Sequence, residues 1–131
     1  MHQPKSEGRN QNTEGRVAEL GGRLLRFAAD VVRFSRRLER TATSRYLANQ
    51  LMRAATSAGA NYREGCSAES RADFIHKLQL ALKETRETEY WLQLLSLSDI
   101  TPEDALRPLL GEADQLIRIL VKSVVTAKSR A

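Results

Sequence analysis

The sequence has few residues that would interrupt or cross-link a helical chain. Its 131 residues include one cysteine, three prolines and seven glycines, and only 5% are aromatic. The lone cysteine, Cys66, excludes an internal disulfide and is typical of a reducing compartment, so we expect a cytoplasmic protein. No apolar run approaches the length of a membrane span, and the first residues lack the apolar segment of a signal peptide. We therefore expect one helical domain that makes no contact with a membrane.

Motifs for catalysis and for cofactor binding are also lacking. The chain has no Gly-rich phosphate loop, no C-x-x-C pair and no signature of a nucleophile with a histidine. Asp73 and His76 form one D-x-x-H motif, whereas a carboxylate-bridged di-iron bundle uses two E-x-x-H motifs and further glutamates. These absences favour a protein that is not an enzyme and that binds neither a metal nor a cofactor.

Basic residues, by contrast, are in excess near the N-terminus. The net charge is +5, and the first forty residues hold nine Lys or Arg against five Asp or Glu. Six arginines project from one sector of the first helix, away from its apolar face: Arg16, Arg23, Arg26, Arg33, Arg37 and Arg40. Such a row suits the phosphate backbone of RNA or DNA in a non-specific, salt-sensitive mode. The alternative is a solvated face that Glu19, Asp30 and Glu39 partly neutralise.

Apolar residues recur at steps of three and four, which indicates amphipathic helices. We place the helices at about 16–40, 44–64, 71–97 and 102–127, with a break near Pro108. Residues 1–15 are polar and without periodicity, so they are predicted to be a disordered tail. The short connections favour an all-α fold, an antiparallel up-down four-helix bundle over residues 16–128. We assign the inward face of the third helix to Phe74, Leu78, Ala81, Leu82, Leu92 and Leu95.

Polar residues form a stripe on the second helix, opposite its leucines. This stripe consists of Arg53, Ser57, Asn61 and Glu64, and Gly65 follows it where a left-handed C-terminal residue is expected. A hairpin of the second and third helices would bring Arg53 level with Glu84 and Glu87, and an arginine between helices needs such a partner. Paired carboxylates could also do acid–base work, but they would need a cleft and a nucleophile or metal. We favour the structural interpretation.

Several apolar residues lie outside the inward faces of the helices. They are Leu25 and Val32 on the first helix, and Tyr90, Trp91 and Leu94 on the third. Contiguous exposed patches of this kind usually mark an interface, so the pattern predicts self-association. The alternative is partial burial against a neighbouring helix or loop.

Two motifs together resemble a known family. They are Arg53-Ala-Ala-Thr-Ser57 followed by N-x-x-E-G at residues 61–65, and K-E-T-R-E-T-E-Y-W-L at residues 83–92. Over residues 44–97 the chain looks like a family of four-helix bundle proteins. That family includes proteins encoded within intervening sequences of bacterial 23S ribosomal RNA genes.

The resemblance implies a small bundle that assembles as a homo-pentamer and has no established enzymatic activity. Related members are accessory proteins of diversity-generating retroelements, in which a basic pentamer engages a reverse transcriptase and its RNA. The family's fold or assembly determinants match these residues here: Arg53, Ser57, Asn61, Glu64, Gly65, Glu84 and Glu87. The first hypothesis is therefore a non-catalytic oligomer that binds nucleic-acid backbone through its basic helix. The second is a structural or protein-interaction module, similar to the reverse-transcriptase accessory proteins, without nucleic-acid binding of its own.

Overall fold

The computed structural model describes residues 8–130, with side-chain surroundings from Glu19 onward, and these residues form four helices. The helices are α1 (Gly8–Arg36), α2 (Ala42–Cys66), α3 (Arg71–Leu97) and α4 (Glu103–Ser129). Each helix packs against the next, and α1 also contacts α4. The connections are short, as expected for helices that run antiparallel to their neighbours. The predicted all-α four-helix bundle is confirmed.

One continuous apolar core runs along the bundle axis, and all four helices contribute to it. Its largest fully buried side chains are Phe27, Leu24, Leu51, Leu78, Leu92, Leu95, Leu106, Leu116 and Leu120. Each buried leucine stabilises the fold by about 1.5–3 kcal/mol through removal of its surface from water. In the part of the chain that the structure describes, no helix is apolar enough over a sufficient length to span a bilayer.

The closest packing in the bundle is between α2 and α3. Small residues, Ala54, Ala55 and Ala58, are fully or almost fully buried on α2. On α3 the buried face includes Thr85 and Thr88, both with 0% of their surface exposed. Their hydroxyls donate to the carbonyl oxygens of Ala81 and Glu84, at 2.8 Å each, so neither of these two hydroxyls is left unpaired.

The inward face predicted for α3 is therefore incomplete. The buried residues of α3 are Leu78, Ala81, Thr85, Thr88, Leu92 and Leu95, at steps of three and four. Phe74 and Leu82, which were assigned to this face, are half-buried and also pack against the core. The threonines join this face because each hydroxyl is satisfied within its own helix, which leaves the methyl group to pack.

The ends of α1 also differ from the prediction. The helix begins at Gly8, so residues 8–15, predicted to be disordered, are helical, whereas residues 1–7 lie outside the described residues. Extending a helix by one residue is far cheaper than starting one, which accounts for the early start. At the other end α1 stops at Arg36, because Arg37 and Leu38 donate to carbonyls three residues back and tighten the last turn.

The break predicted near Pro108 is not found, since α4 runs through this residue from Glu103 to Ser129. Pro108 lacks the N–H that would bond to the Asp104 carbonyl, but both residues are exposed, so water can serve that carbonyl. Leu106 and Leu109, on either side of the proline, are both buried. Their packing holds the helix together across the proline.

Candidate functional site

The arginine row predicted on α1 divides between two sides of the helix. Arg23 faces α4, where its Nε and Nη2 atoms donate to the Glu112 carboxylate at 3.1 and 2.5 Å, and Nη2 also reaches Gln115. The pKa of Arg23 is raised, chiefly by this hydrogen bond to Glu112. Arg23 thus joins α1 to α4 and is not available to a ligand. Arg16 lies on α1, but its side chain lies outside the described residues.

Two further members of the row face acidic groups on the same side. Arg33 donates to Asp30, one turn earlier on its own helix. Arg33 and Arg37 line a groove between α1 and α4 together with Asp104 and Glu112. Because Asp30 also lines this groove, three carboxylates accompany two arginines and the groove has no excess of basic charge.

Arg26 is exposed, and its guanidinium lies back along α1, with Nη1 3.1 Å from where a Cβ on Gly22 would stand. Arg40, the last member of the row, lies beyond the end of α1. It lies in a second groove, which was not predicted from the sequence.

This second groove lies between the end of α1 and the beginning of α2, and we call it the elbow groove. Three exposed arginines line it, Arg36, Arg40 and Arg45, and we call them the elbow arginines. Its other polar lining residues are Ser35, Glu39, Ser44 and Asn49. Since Glu39 is the one acidic lining residue, the groove carries a net positive charge. Arg36 and Arg45 were missed because the helical projection considered one sector of one helix and not the neighbouring helix.

The polar stripe of α2 forms the ion pairs that its spacing predicts. Arg53 donates to Glu84 at 3.4 Å and also to Glu87, which lies one turn further along α3. Desolvation, followed by the proximity of Glu87, raises the pKa of Glu84, whereas hydrogen bonding from Arg53 lowers the pKa of Glu87. Neither the elbow groove nor the α1–α4 groove includes these carboxylates, and their contacts with Arg53 join two helices.

The remaining residues of the stripe are also structural in their contacts. The Asn61 amide donates to the carbonyl and hydroxyl oxygens of Ser57, at 3.0 and 3.1 Å. Glu64 accepts from Lys77 on α3 at 2.6 Å. With the contacts of Arg53, this pairing links α2 to α3 at two levels along the hairpin.

Gly65 does not adopt the left-handed conformation that was predicted for it, since no described glycine has a positive φ. It lies inside α2 and is buried against α3. A Cβ at this position would stand 2.9 Å from the Cβ of Lys77 and 3.6 Å from the Phe74 carbonyl oxygen. A glycine is required here because the two helices approach closely, not because the chain turns.

The apolar residues outside the inward faces form an aromatic cluster on α2 and α3. The rings of Tyr46 and Tyr90 both lie edge-on to Trp91, with centroids 6.2 and 5.2 Å from it. Trp91 and Leu94 are half-buried against the core, and the Trp91 indole N–H donates to Glu87 at 3.4 Å. The exposed surface of the cluster comes from Tyr46 and Tyr90, each 57% exposed. Tyr46 was missed because nothing in the sequence places it beside Trp91.

On α1, Leu25 is 56% exposed and Val32 is half-buried. They lie seven residues apart and therefore share one side of the helix. Val125 on α4 is also exposed. The bundle thus has apolar surface on helices other than those of the aromatic cluster.

Cys66 and His76 show no feature of a reactive or metal site. Desolvation raises the pKa of the Cys66 thiol, which reduces the thiolate fraction at neutral pH and so its reactivity. His76 is exposed on α3. Within the described part of the chain, no three His, Cys, Asp or Glu side chains lie close enough together to hold a metal ion.

A family model for the 23S rRNA-intervening sequence protein matches residues 22–122 of the chain. The chain belongs to this family. The match runs from the middle of α1 to near the end of α4 and includes both sequence motifs. None of the curated proteins compared with the chain matches it.

A solved structure supports membership of the 23S rRNA-intervening sequence protein family. It is the crystal structure of a protein of unknown function from the S23 ribosomal protein family of Bacteroides thetaiotaomicron. The two chains are 33% identical with a TM-score of 0.77, and the similarity covers 82% of this chain and 96% of the other.

In the fold, seven of the ten residues of the K-E-T-R-E-T-E-Y-W-L motif are buried, ion-paired or part of the aromatic cluster. Glu84 and Glu87 pair with Arg53, whereas Thr85, Thr88 and Leu92 are buried. Tyr90 and Trp91 form the aromatic cluster. The residues that identify the family therefore build the α2–α3 pair, and the elbow arginines lie outside the motif.

Proposed function

We propose that this member of the 23S rRNA-intervening sequence protein family is a non-catalytic, self-associating cytoplasmic bundle that binds the phosphate backbone of RNA. The observation that carries the proposal is the elbow groove, where three exposed arginines face one glutamate. Arg23 and Arg33, by contrast, are already paired with carboxylates and are left out of the interface. Arg26, which is exposed, is a secondary contact, whereas Arg37 lies in the α1–α4 groove with its carboxylates and is left out as well.

Arginine suits this role because its planar guanidinium binds phosphate oxygens through two parallel hydrogen bonds. The elbow groove has no aromatic lining residue on which a base could stack. Backbone contact without base recognition predicts binding that is weakly selective for sequence and falls steeply with salt.

Charge reversal tests this proposal. Changing Arg36, Arg40 and Arg45 together to glutamate should weaken binding to a short fluorescein-labelled RNA hairpin at least about tenfold at low salt. The slope of log affinity against log salt should fall by about 2–3, since each phosphate contact releases close to one counterion. Fluorescence anisotropy across a salt series measures both quantities.

A matched control makes the same change in net charge on a different surface of the protein. Arg63, Arg71 and Arg86 are exposed on α2 and α3, away from the elbow groove. Their joint replacement by glutamate should alter RNA affinity only slightly. Equal loss in both triple variants would show a general charge effect, and no binding by the unaltered protein at low salt would refute the proposal.

Self-association is supported by the aromatic cluster and by the other exposed apolar side chains. A ring with five members needs a heterologous interface, in which two different surfaces of the protein meet. The exposed rings of Tyr46 and Tyr90 supply one surface, and Leu25 or Val125 on other helices supplies a second. The number of subunits comes from the family resemblance, which implies a homo-pentamer, and this is the assembly that we propose.

Changing Tyr46 and Tyr90 together to lysine should dissociate the assembly, because the charges would have to be buried in the interface. Both residues are exposed in the single chain, so the bundle itself should keep its stability. Light scattering coupled to size exclusion gives the mass. The paired replacement of both tyrosines by phenylalanine keeps the rings and should keep the assembly, and a monomeric unaltered protein would contradict the prediction.

The alternative function is a protein-interaction module, which the same aromatic cluster favours. In that case the cluster receives another protein, such as a reverse transcriptase, and not a second copy of the chain. The RNA affinity of the purified protein separates the two functions, since the alternative expects no binding of RNA by the protein alone.

A further inference from the structure

Trp91 is held by one hydrogen bond and two aromatic contacts. Its indole N–H donates to the Glu87 carboxylate, one turn earlier on α3, at 3.4 Å. The rings of Tyr46, on α2, and Tyr90 both lie edge-on to the indole. Trp91 is half-buried and packs against the core, whereas the two tyrosine rings are exposed. Because edge-to-face pairs have a preferred geometry, the orientation of the indole also affects where the two exposed rings stand.

The acceptor of this hydrogen bond is itself held in place by α2. Arg53 donates to Glu87 and to Glu84, which lies one turn earlier on α3. The hydrogen bond from Arg53 lowers the pKa of Glu87, so this carboxylate is ionised at neutral pH and is a strong acceptor. The two glutamates share Arg53, but the indole hydrogen bond goes to Glu87 and not to Glu84. Glu87 is therefore the point at which the polar stripe of α2 meets the aromatic cluster.

We infer, on the basis of the proposed self-association, that Glu87 is a positioning residue for the interface between copies of the chain. Held by Arg53, it fixes the Trp91 indole and so orders the exposed rings of Tyr46 and Tyr90 before two copies meet. Side chains that are ordered in advance lose less conformational freedom on association, which strengthens binding. An ion pair within one chain thereby acts on the contacts between chains.

The indole itself provides the first readout. Trp91 is the one tryptophan of the sequence, so its indole N–H gives a resonance of its own in a ¹⁵N spectrum. Glu87→Met keeps a side chain of similar length but removes the acceptor, and it should move this resonance to lower proton chemical shift. Glu87→Gln keeps an oxygen acceptor and should retain most of the original shift. Glu84→Met is the matched control, since it removes the other carboxylate paired with Arg53 and should leave the indole resonance in place.

The assembly provides the second readout. Light scattering over a dilution series should show that Glu87→Met raises the concentration of half-dissociation about threefold to tenfold, the cost of ordering one large side chain. Glu84→Met should leave that concentration unchanged. Circular dichroism checks that both methionine variants remain folded, as expected for two residues that are not fully buried.

An indole resonance that does not move in Glu87→Met would overturn the positioning role, as would equal weakening of the assembly by both methionine variants. In either case an unaltered protein that assembles would leave the self-association standing. A protein that is monomeric at every concentration would instead refute the self-association, and the interface role of Glu87 with it.

Discussion

Replacing Gly65 with valine should destabilise the bundle by about 1–3 kcal/mol, which is the cost of overpacking a close contact. A Cβ at this position stands 2.9 Å from the Cβ of Lys77, an atom next to the α3 backbone that cannot swing away. Valine adds two methyl groups beyond that Cβ, so α2 and α3 must separate where Glu64 pairs with Lys77. Urea denaturation, followed by circular dichroism at a fixed protein concentration, measures the free energy of unfolding.

Gly111 provides the control, because it lies on α4 with no other atom within 4 Å of an added Cβ. Gly111→Ala should stabilise the protein by up to about 1 kcal/mol through helix propensity alone. Gly65→Ala, one residue from the end of α2, carries at most the same propensity gain and adds the contact with Lys77, so it should be less stable than Gly111→Ala. Equal gains at both positions would show that α2 and α3 do not approach as closely as described.

The ion pairs between α2 and α3 could be predicted from the sequence because the charged residues lie at helical spacing on both helices. Arg53 lies level with Glu84 and Glu87 once two helices of this length are joined by a short turn, and it contacts both. The length of the connection and the rise per residue are enough to place these residues side by side. The residues that lie side by side in an antiparallel helical hairpin can therefore be predicted from the sequence alone.

The surroundings of the α1 arginines could not be predicted in this way. A helical projection gives the angle between two residues of one helix, but not which neighbouring helix each side will face. Arg23 faces Glu112 on α4, whereas Arg36 and Arg40 share a groove with Arg45 on α2. The split depends on how α1 is rotated between α2 and α4, which is fixed by the packing of Leu24, Phe27 and Val31 with residues distant in sequence.

The buried threonines were missed for a different reason. The predicted inward face contains only apolar residues and so omits Thr85 and Thr88, although a threonine in a helix can satisfy its hydroxyl on the preceding turn. Their spacing with Leu78, Ala81, Leu92 and Leu95 would have revealed them if hydroxyl residues had been allowed on the inward face. The spacing of Thr85 and Thr88 therefore predicts their burial once threonine is treated as a possible core residue.

Thr85 therefore allows a second test with a large expected effect. Changing Thr85 to aspartate should destabilise the protein by about 3–5 kcal/mol, because a fully buried position would hold an unpaired charge. Thr85→Val should change the free energy of unfolding by no more than about 1 kcal/mol, since the lost hydroxyl had bonded only to the Ala81 carbonyl of its own helix. In Thr85→Val, the Ala81 carbonyl still accepts a hydrogen bond from the backbone N–H of residue 85, so no polar group at this site is left unpaired.

Arg86 is the matched control for the aspartate, because it is the next residue of α3 and is exposed. Arg86→Asp should cost within about 0.5 kcal/mol, as is usual for a surface position. The contrast between adjacent residues isolates burial from any general effect of added negative charge on α3. If Thr85→Asp were tolerated as well as Arg86→Asp in urea denaturation, Thr85 would not lie in the core.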